Sequence, residues 1–229
     1  MERGELFEKF LEECNNCNEW CGQGNPNAHI LIIGKESYIK DLKTNPIILQ
    51  EKLQRQYELC KRGDFGNAKR DNKNPTWSNY QILIEKVYGP QIEFNPELFD
   101  FEKYAFTTEL SSIPRKNSNY SEAKSSIQNR LCLFKESKFI NSFPVIILAC
   151  GGYIRNDEKV REIDNTFRVE FSQEYGSKQS KNRFWTHIDK NNPKKLVIHT
   201  RQFSNGISND LIIKIADVIG THLANQGLL

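Results

Sequence analysis

The apolar positions of this chain fall into two kinds of run. Ile30-Leu31-Ile32-Ile33 and Phe143-Pro144-Val145-Ile146-Ile147-Leu148-Ala149-Cys150 are unbroken apolar stretches, and they predict strands buried on both faces. Tyr104 to Leu110 and Lys195 to His199 read as two further strands. Elsewhere the apolar positions recur at helical spacing. Leu6, Phe7, Phe10 and Leu11 predict a short amphipathic helix over 5–13. Pro75 opens a second helix, with Thr76 near its cap, Trp77, Tyr80, Ile84, Val87 and Tyr88 on one side, and Gly89-Pro90 as its stop. Ile127, Leu131, Phe134 and Lys138 mark the turns of a helix over 121–139. Leu211, Ile212, Ile215, Ile219 and Leu223 mark another over 208–224. A short helix near 155–162 and a strand from Thr166 to Phe171 carry fainter patterns. Residues 39–74 read as irregular to helical, and Ser172 to Arg183 as a polar, mobile loop.

Strand, helix, strand, helix, strand, strand, helix is the order of a doubly wound α/β domain. No internal repeat and no linker divides the chain, so one domain over 1–229 is expected, with 1–27 as a helical, cysteine-containing lead-in. The 229 residues are 38% hydrophobic and 27% charged, the balance of a globular protein with a polar surface. The net charge of +3 does not by itself name a nucleic-acid partner, although basic residues cluster at 115–138 and 178–201. The start of the chain lacks the apolar core of a signal peptide, and no run reaches membrane-spanning length. A cytoplasmic monomer with no membrane partner is the expectation. Six cysteines without an export signal read as reduced thiols or metal ligands rather than disulfides.

In open α/β sheets, ligands bind beyond the carboxyl ends of the strands. The first strand stops at Gly34 and is followed by Lys35, Glu36, Ser37 and Tyr38: an ammonium, a carboxylate, a hydroxyl and a phenol. This is no phosphate-binding P-loop, which needs a Gly where the chain has His29 and a Ser or Thr where it has Glu36. The second strand delivers Thr107-Thr108-Glu109, the third Gly151-Gly152, and the fourth His199.

This set resembles the uracil-DNA glycosylase superfamily. The family's first motif, G-Q-D-P-Y or G-E-A-P-G, corresponds to Gly34-Lys35-Glu36-Ser37-Tyr38, and its late H-P-S motif to His199-Thr200-Arg201. Gly24-Asn25-Pro26-Asn27-Ala28 is similar to the G-N-P-x-A that precedes the first motif in the iron–sulfur branch. Phe143 to Gly152 resembles the family's P-x-V-I-x-x-L-G strand. The resemblance implies a three-layer α/β/α sandwich around a mainly parallel four-stranded sheet. It implies a DNA-repair hydrolase acting on DNA or a nucleotide. The chain also departs from the motifs: Glu36 replaces Asp, Ser37 replaces Pro, and Thr200-Arg201 replace Pro-Ser. Thr108 and Glu109 stand where the family places an Asn that reads the base edge. An Asn amide donates and accepts together, and neither replacement reproduces that.

The resemblance assigns catalysis to Glu36, which would orient water or stabilise a sugar cation, and to His199, which would meet negative charge on the departing base. Gly34, Lys35, Ser37, Tyr38, Thr108, Glu109, Trp77 and Arg201 form the implied substrate-binding set. Trp77, Phe65 and Tyr38 are candidates to stack a flipped base, and Arg201, Lys35, Arg115 and Lys116 to hold phosphates. Cys14 and Cys17 match the Cys-x2-Cys of the iron–sulfur branch, and Cys21 and Cys60 are candidates to complete a cluster. The alternatives are free thiols and no cofactor.

Each residue also has a plainer reading. Lys35 and Glu36 would be a solvated turn, His199 a core histidine, and Trp77 and Tyr80 helix-to-sheet packing. His187-x-Asp189 would be a metal pair lacking a third ligand. At the level of function, a catalytically silent nucleotide- or nucleic-acid-binding protein of the same fold is the alternative. An unrelated α/β hydrolase lacks its G-x-S-x-G elbow here.

Overall fold

A computed structural model describes residues 2–36, 58, 63, 65–66, 68–70, 74–89, 91–114, 119–177, 180, 182–204 and 206–229. Helix α1 (Arg3–Asn16) is opened by a capping box between Glu2 and Glu5. A two-residue strand β1 (Gln23–Gly24) leads into β2 (Ile30–Gly34). Helix α2 (Pro75–Tyr88) starts where the Asn74 side chain accepts the Trp77 amide, with Pro75 in the first turn. Asn74 therefore caps this helix, two residues before Thr76.

A small ribbon of β3 (Ala68–Lys69) and β4 (Leu98–Phe99) precedes β5 (Ala105–Glu109). The helix expected over 121–139 is broken in two: α3 (Tyr120–Glu136) and α4 (Lys138–Asn141) meet at Ser137. Ser137 leaves helical geometry (φ −69°, ψ 114°), and its side chain accepts the Ile140 amide to start the second piece. Then follow β6 (Val145–Ala149), α5 (Glu162–Phe167), β7 (Glu170–Tyr175), β8 (Phe184–Ile188), β9 (Leu196–Thr200) and α6 (Asn209–Ala224).

The main sheet has seven strands in the order β1-β5-β2-β6-β9-β8-β7. Its centre, β5-β2-β6-β9, is parallel throughout, and these are the four strands expected from the apolar runs. The sheet is nevertheless wider than the expected four. Strand β1 adds antiparallel to β5, and β8 and β7 extend the other edge as an antiparallel hairpin beside β9. The reason lies in the residues of the hairpin. Glu170 to Gln173 are exposed, so β7 lacks the apolar alternation that marks a strand, and from Ser172 onward a polar loop was the expectation.

Helices cover both faces. Ile30, Ile32, Ile147 and Ile198 face α2 and α6, whereas Leu31, Ile33, Ile146 and Leu148 face α1, α3, α4 and α5. Strand β2 thus feeds both cores, and all of its residues are buried. Each such side chain contributes roughly 1.5–3 kcal/mol on burial, so β2 is the mechanical axis of the fold. No helix among the described residues is long and apolar enough to cross a membrane.

The fainter expectations shift. The helix near 155–162 forms instead at Glu162–Phe167, after a loop in which Asp157 accepts the Lys159 and Val160 amides. The strand expected at Thr166 to Phe171 forms at Glu170–Tyr175, because Arg168 ends α5 in the left-handed region (φ 56°). Most of 39–74 lies outside the described residues.

Candidate functional site

Across the parallel strands the chain visits β2 first, steps to β5 on one side, then returns to β6 and β9 on the other. The direction reverses beside β2, and a crevice opens at such a point beyond the carboxyl ends. Lys35 and Glu36 leave β2 there. Gly151 and Gly152 leave β6 in a single 3-10 turn, and His199 and Arg201 sit at and just past the end of β9.

Tyr153, which the sequence patterns did not single out, joins these groups. Its hydroxyl donates to Glu36 Oε1 at 3.2 Å, and the Lys35 ammonium sits 4.6 Å from the centre of its ring. One buried phenol therefore holds a carboxylate by its rim and a cation by its face. Gly151 has φ +52°, a conformation that favours glycine. Lys35 Cε and the Cα of Arg201 lie 4.0 and 3.9 Å from the point where a side chain at Gly151 would begin.

His199 Nε2 lies 2.9 Å from the Gly151 carbonyl oxygen. A carbonyl only accepts, so Nε2 carries the hydrogen and Nδ1 is left as the acceptor of a neutral ring. Desolvation lowers the pKa of His199 to about 4, against a partial rise from the Gly151 contact. Trp185 on β8, the cross-strand partner of His199, stacks on the imidazole at 5.4 Å and 30°. The Arg183 guanidinium lies 5.0 Å from the Trp185 ring centre. Neither Trp185 nor Tyr153 had a motif to mark it. A single aromatic after a Gly-Gly turn is a weak signal, and Trp185 belongs to a strand that the apolar pattern hid.

Thr108 and Glu109 end β5 on the far side of β2, and a different partner occupies them. Arg130, completely buried, donates from Nη2 to Thr108 Oγ1 at 2.9 Å and from Nε to the Glu109 carbonyl at 3.1 Å. The Thr108 hydroxyl thus already accepts a protein donor, which argues against a part in base reading. Gly34 faces the Tyr80 hydroxyl, which would stand 3.3 Å from an added Cβ. Close packing accounts for this glycine.

Trp77 is half-buried, and its ring meets Phe99 and Phe101 edge-on at 5.6 and 5.7 Å against the core between α2 and the sheet, contacts that favour the packing role over base stacking. His187 and Asp189 have separate partners. His187 Nδ1 pairs with Asp164 Oδ1 at 3.2 Å, while Asp189 Oδ1 accepts the amides of Asn191 and Asn192 in the following turn.

The candidate cluster residues diverge in character. Cys14 and Cys21 are buried, and Cys17 is exposed. Desolvation pushes the Cys14 thiol up to about 12. Among the described residues, no three His, Cys, Asp or Glu side chains converge to hold a metal ion. Ser37, Tyr38, Cys60, Arg115 and Lys116 lie outside the described residues, and Phe65 is half-buried.

No protein-family model and no curated protein matches the chain. What the molecule can do rests on its own geometry.

Proposed function

We propose that this chain is a divergent uracil-DNA-glycosylase-like protein that hydrolyses the N-glycosidic bond of a damaged or modified base in DNA. One observation carries the reading. Glu36 sits immediately beyond β2, beside the point where the strand order reverses, with its carboxylate held by the Tyr153 hydroxyl. In this reading the bond between C1′ and the base nitrogen breaks and its electron pair leaves with the base. Positive charge develops on the sugar, where the Glu36 carboxylate stabilises it and orients the attacking water. The water oxygen bonds to C1′ and one of its protons passes to Glu36. His199 contributes by exchanging its Gly151 carbonyl for an oxygen of the departing base as negative charge grows there.

A second reading is a catalytically silent nucleotide-binding protein of this fold. The bond from His199 Nε2 to Gly151 favours it, because that donor is already used.

Base release from oligonucleotides with single uracil, hypoxanthine, xanthine or mismatched sites separates the two. The glycosylase reading expects release by the native chain and at least about a hundredfold loss in Glu36→Gln. Salt-sensitive binding without release from any substrate would overturn it and leave the silent binder.

A further inference from the structure

Helix α2 brings a polar atom to the strand ends that the site described so far does not use. The first turns of α2 lie at the carboxyl edge of the sheet, where Asn79 Nδ2 is 3.4 Å from the carbonyl oxygens of Phe203 and Ser204, beyond the end of β9. Side chains on a helix lean toward its amino end, so a long side chain on the inner face of these turns reaches toward the strand ends. Tyr80 is that residue. Its ring meets Phe101 edge-on at 5.7 Å and Phe203 at 5.8 Å, and the residue is 6% exposed.

The hydroxyl sits at the end of β2. It would stand 3.3 Å from a side chain begun at Gly34, the last residue of that strand and the one before Lys35 and Glu36. It also senses the two neighbouring strands. Burial raises the pKa of the phenol, and the negative forms of Glu109 on β5 and Cys150 after β6 raise it further. The group is therefore a neutral O–H donor across the working pH range. Among the described residues, no group is hydrogen-bonded to it. A phenylalanine would pack against Phe101 and Phe203 equally well, so the core accounts for the ring and not for the oxygen. A buried tyrosine hydroxyl finds a partner as a rule. The Thr108 hydroxyl at the end of β5, by contrast, already accepts from Arg130.

We infer that the Tyr80 hydroxyl donates to a carbonyl oxygen of the base held beyond β2, so that the site selects bases that carry such an oxygen. Placing a base there rests on the reading under "Proposed function"; the contact and the class of base go beyond it. A base that offers no oxygen leaves this donor unpaired, and that penalty is what discriminates.

The test is binding, by fluorescence anisotropy, of oligonucleotides that carry at one position uracil, hypoxanthine, purine or a tetrahydrofuran. Purine lacks the exocyclic oxygen of hypoxanthine, and tetrahydrofuran lacks the base altogether. The measurements use Glu36→Gln, in which base release does not intervene, with and without Tyr80→Phe. Tyr80→Phe should weaken binding of the uracil or hypoxanthine strand about 3- to 10-fold and leave the purine and tetrahydrofuran strands unchanged. Thermal melting of Tyr80→Phe should match the native chain, since the ring and its contacts remain. Base release by the native chain is followed in parallel.

Equal weakening on all four strands, or none on any, with base release by the native chain intact, would overturn this inference and leave the function reading standing. So would a melting temperature lowered by more than about 3 °C, the mark of a hydrogen bond lost inside the chain. A preference for hypoxanthine over purine that disappears with Tyr80→Phe, without release by the native chain, would overturn the glycosylase reading alone. A native chain that releases no base and binds no strand more tightly than the tetrahydrofuran one would overturn both.

Discussion

Strand β9 carries a titratable residue at each end, and the two ends are treated in opposite ways. At the amino end, the Lys195 ammonium is buried and donates to Asn141 Oδ1 at 2.7 Å and to the Phe167 carbonyl at 2.6 Å. It thereby stitches the ends of α4 and α5 to the sheet, and its neighbours are all accounted for by structure. At the carboxyl end, His199 makes one hydrogen bond to a glycine turn and stacks on a tryptophan. Burial depresses both pKa values, Lys195 to about 8 and His199 to about 4. Perturbed titration alone therefore does not mark a functional site. What separates the ends is that Lys195 donates to two protein acceptors on neighbouring elements, whereas His199 makes a single hydrogen bond, at the end of the sheet from which Glu36 also departs.

The largest effect expected from breaking this contrast lies at the closed part of the carboxyl ends. Arg130 joins α3 to the end of β5, approaches Glu19 at 3.9 Å, and is completely buried. Arg130→Met should cost about 3–4 kcal/mol, because Thr108, the Glu109 carbonyl and the Glu19 carboxylate lose a buried donor together. Urea unfolding measures it. A loss below about 1 kcal/mol would mean that the β5 end is open to solvent and available to a ligand after all.

Lys195→Met is expected to be next, at about 2 kcal/mol near neutral pH, since two buried acceptors are left without a donor. Its pH signature has a definite sign. With a native pKa near 8 and an ordinary one of 10.5, the unfolded chain binds more protons between those values, and this residue makes stability rise with pH across that window. Cys14 and Cys150, pushed up to about 12, act in the opposite sense above pH 9. The difference between native and variant stability isolates the lysine. Oligonucleotide binding should be untouched, and a variant that loses binding would erase the distinction between the two ends.

How much of this contrast was legible in the sequence follows from what each residue contributes. The four parallel strands and the helices at 75–88 and 209–224 are driven by apolar burial, so their residues announce them. Lys35, Glu36 and His199 were legible because a polar group directly after a buried strand is placed by the strand itself. Trp185, Arg183 and Tyr153 were not. The hairpin that carries Trp185 is held by cross-strand ladders and two ring stacks, which leave no periodic trace. Tyr153 matters through a contact with a residue 117 positions away. Trp77 is the opposite case: an aromatic on a helix face suits a core as well as a base, and its contacts with Phe99 and Phe101 favour the core.

The His199 prediction sharpens the comparison at the open end. In an NMR pH titration its imidazole should remain neutral until a midpoint near pH 4, against an ordinary value of 6.5. Between those values the unfolded chain binds the additional proton. The histidine therefore makes stability fall as pH drops from about 6.5 toward 4, and its contribution is fully present above 6.5. His29 and His187, both lowered by burial, act with the same sign. Comparison with His199→Gln is needed to isolate one ring. A midpoint above 6 would show the ring to be hydrated, and the Trp185 stack would no longer explain its environment.

The smallest effect separates the two tryptophans. Trp77→Phe keeps an aromatic ring between Phe99 and Phe101 and should cost about 1 kcal/mol, with no change in oligonucleotide affinity or salt slope. Trp185→Leu should cost little more in stability, since the Trp185 side chain is partly exposed at the rim. It removes the ring stacked on His199, so oligonucleotide binding should weaken. Two half-buried residues of one type would then differ in function because one ring lies edge-on to two phenylalanines and the other stacks on a histidine at the strand ends. If Trp77→Phe weakens binding and Trp185→Leu does not, the ligand lies at Trp77 and not at the end of β9.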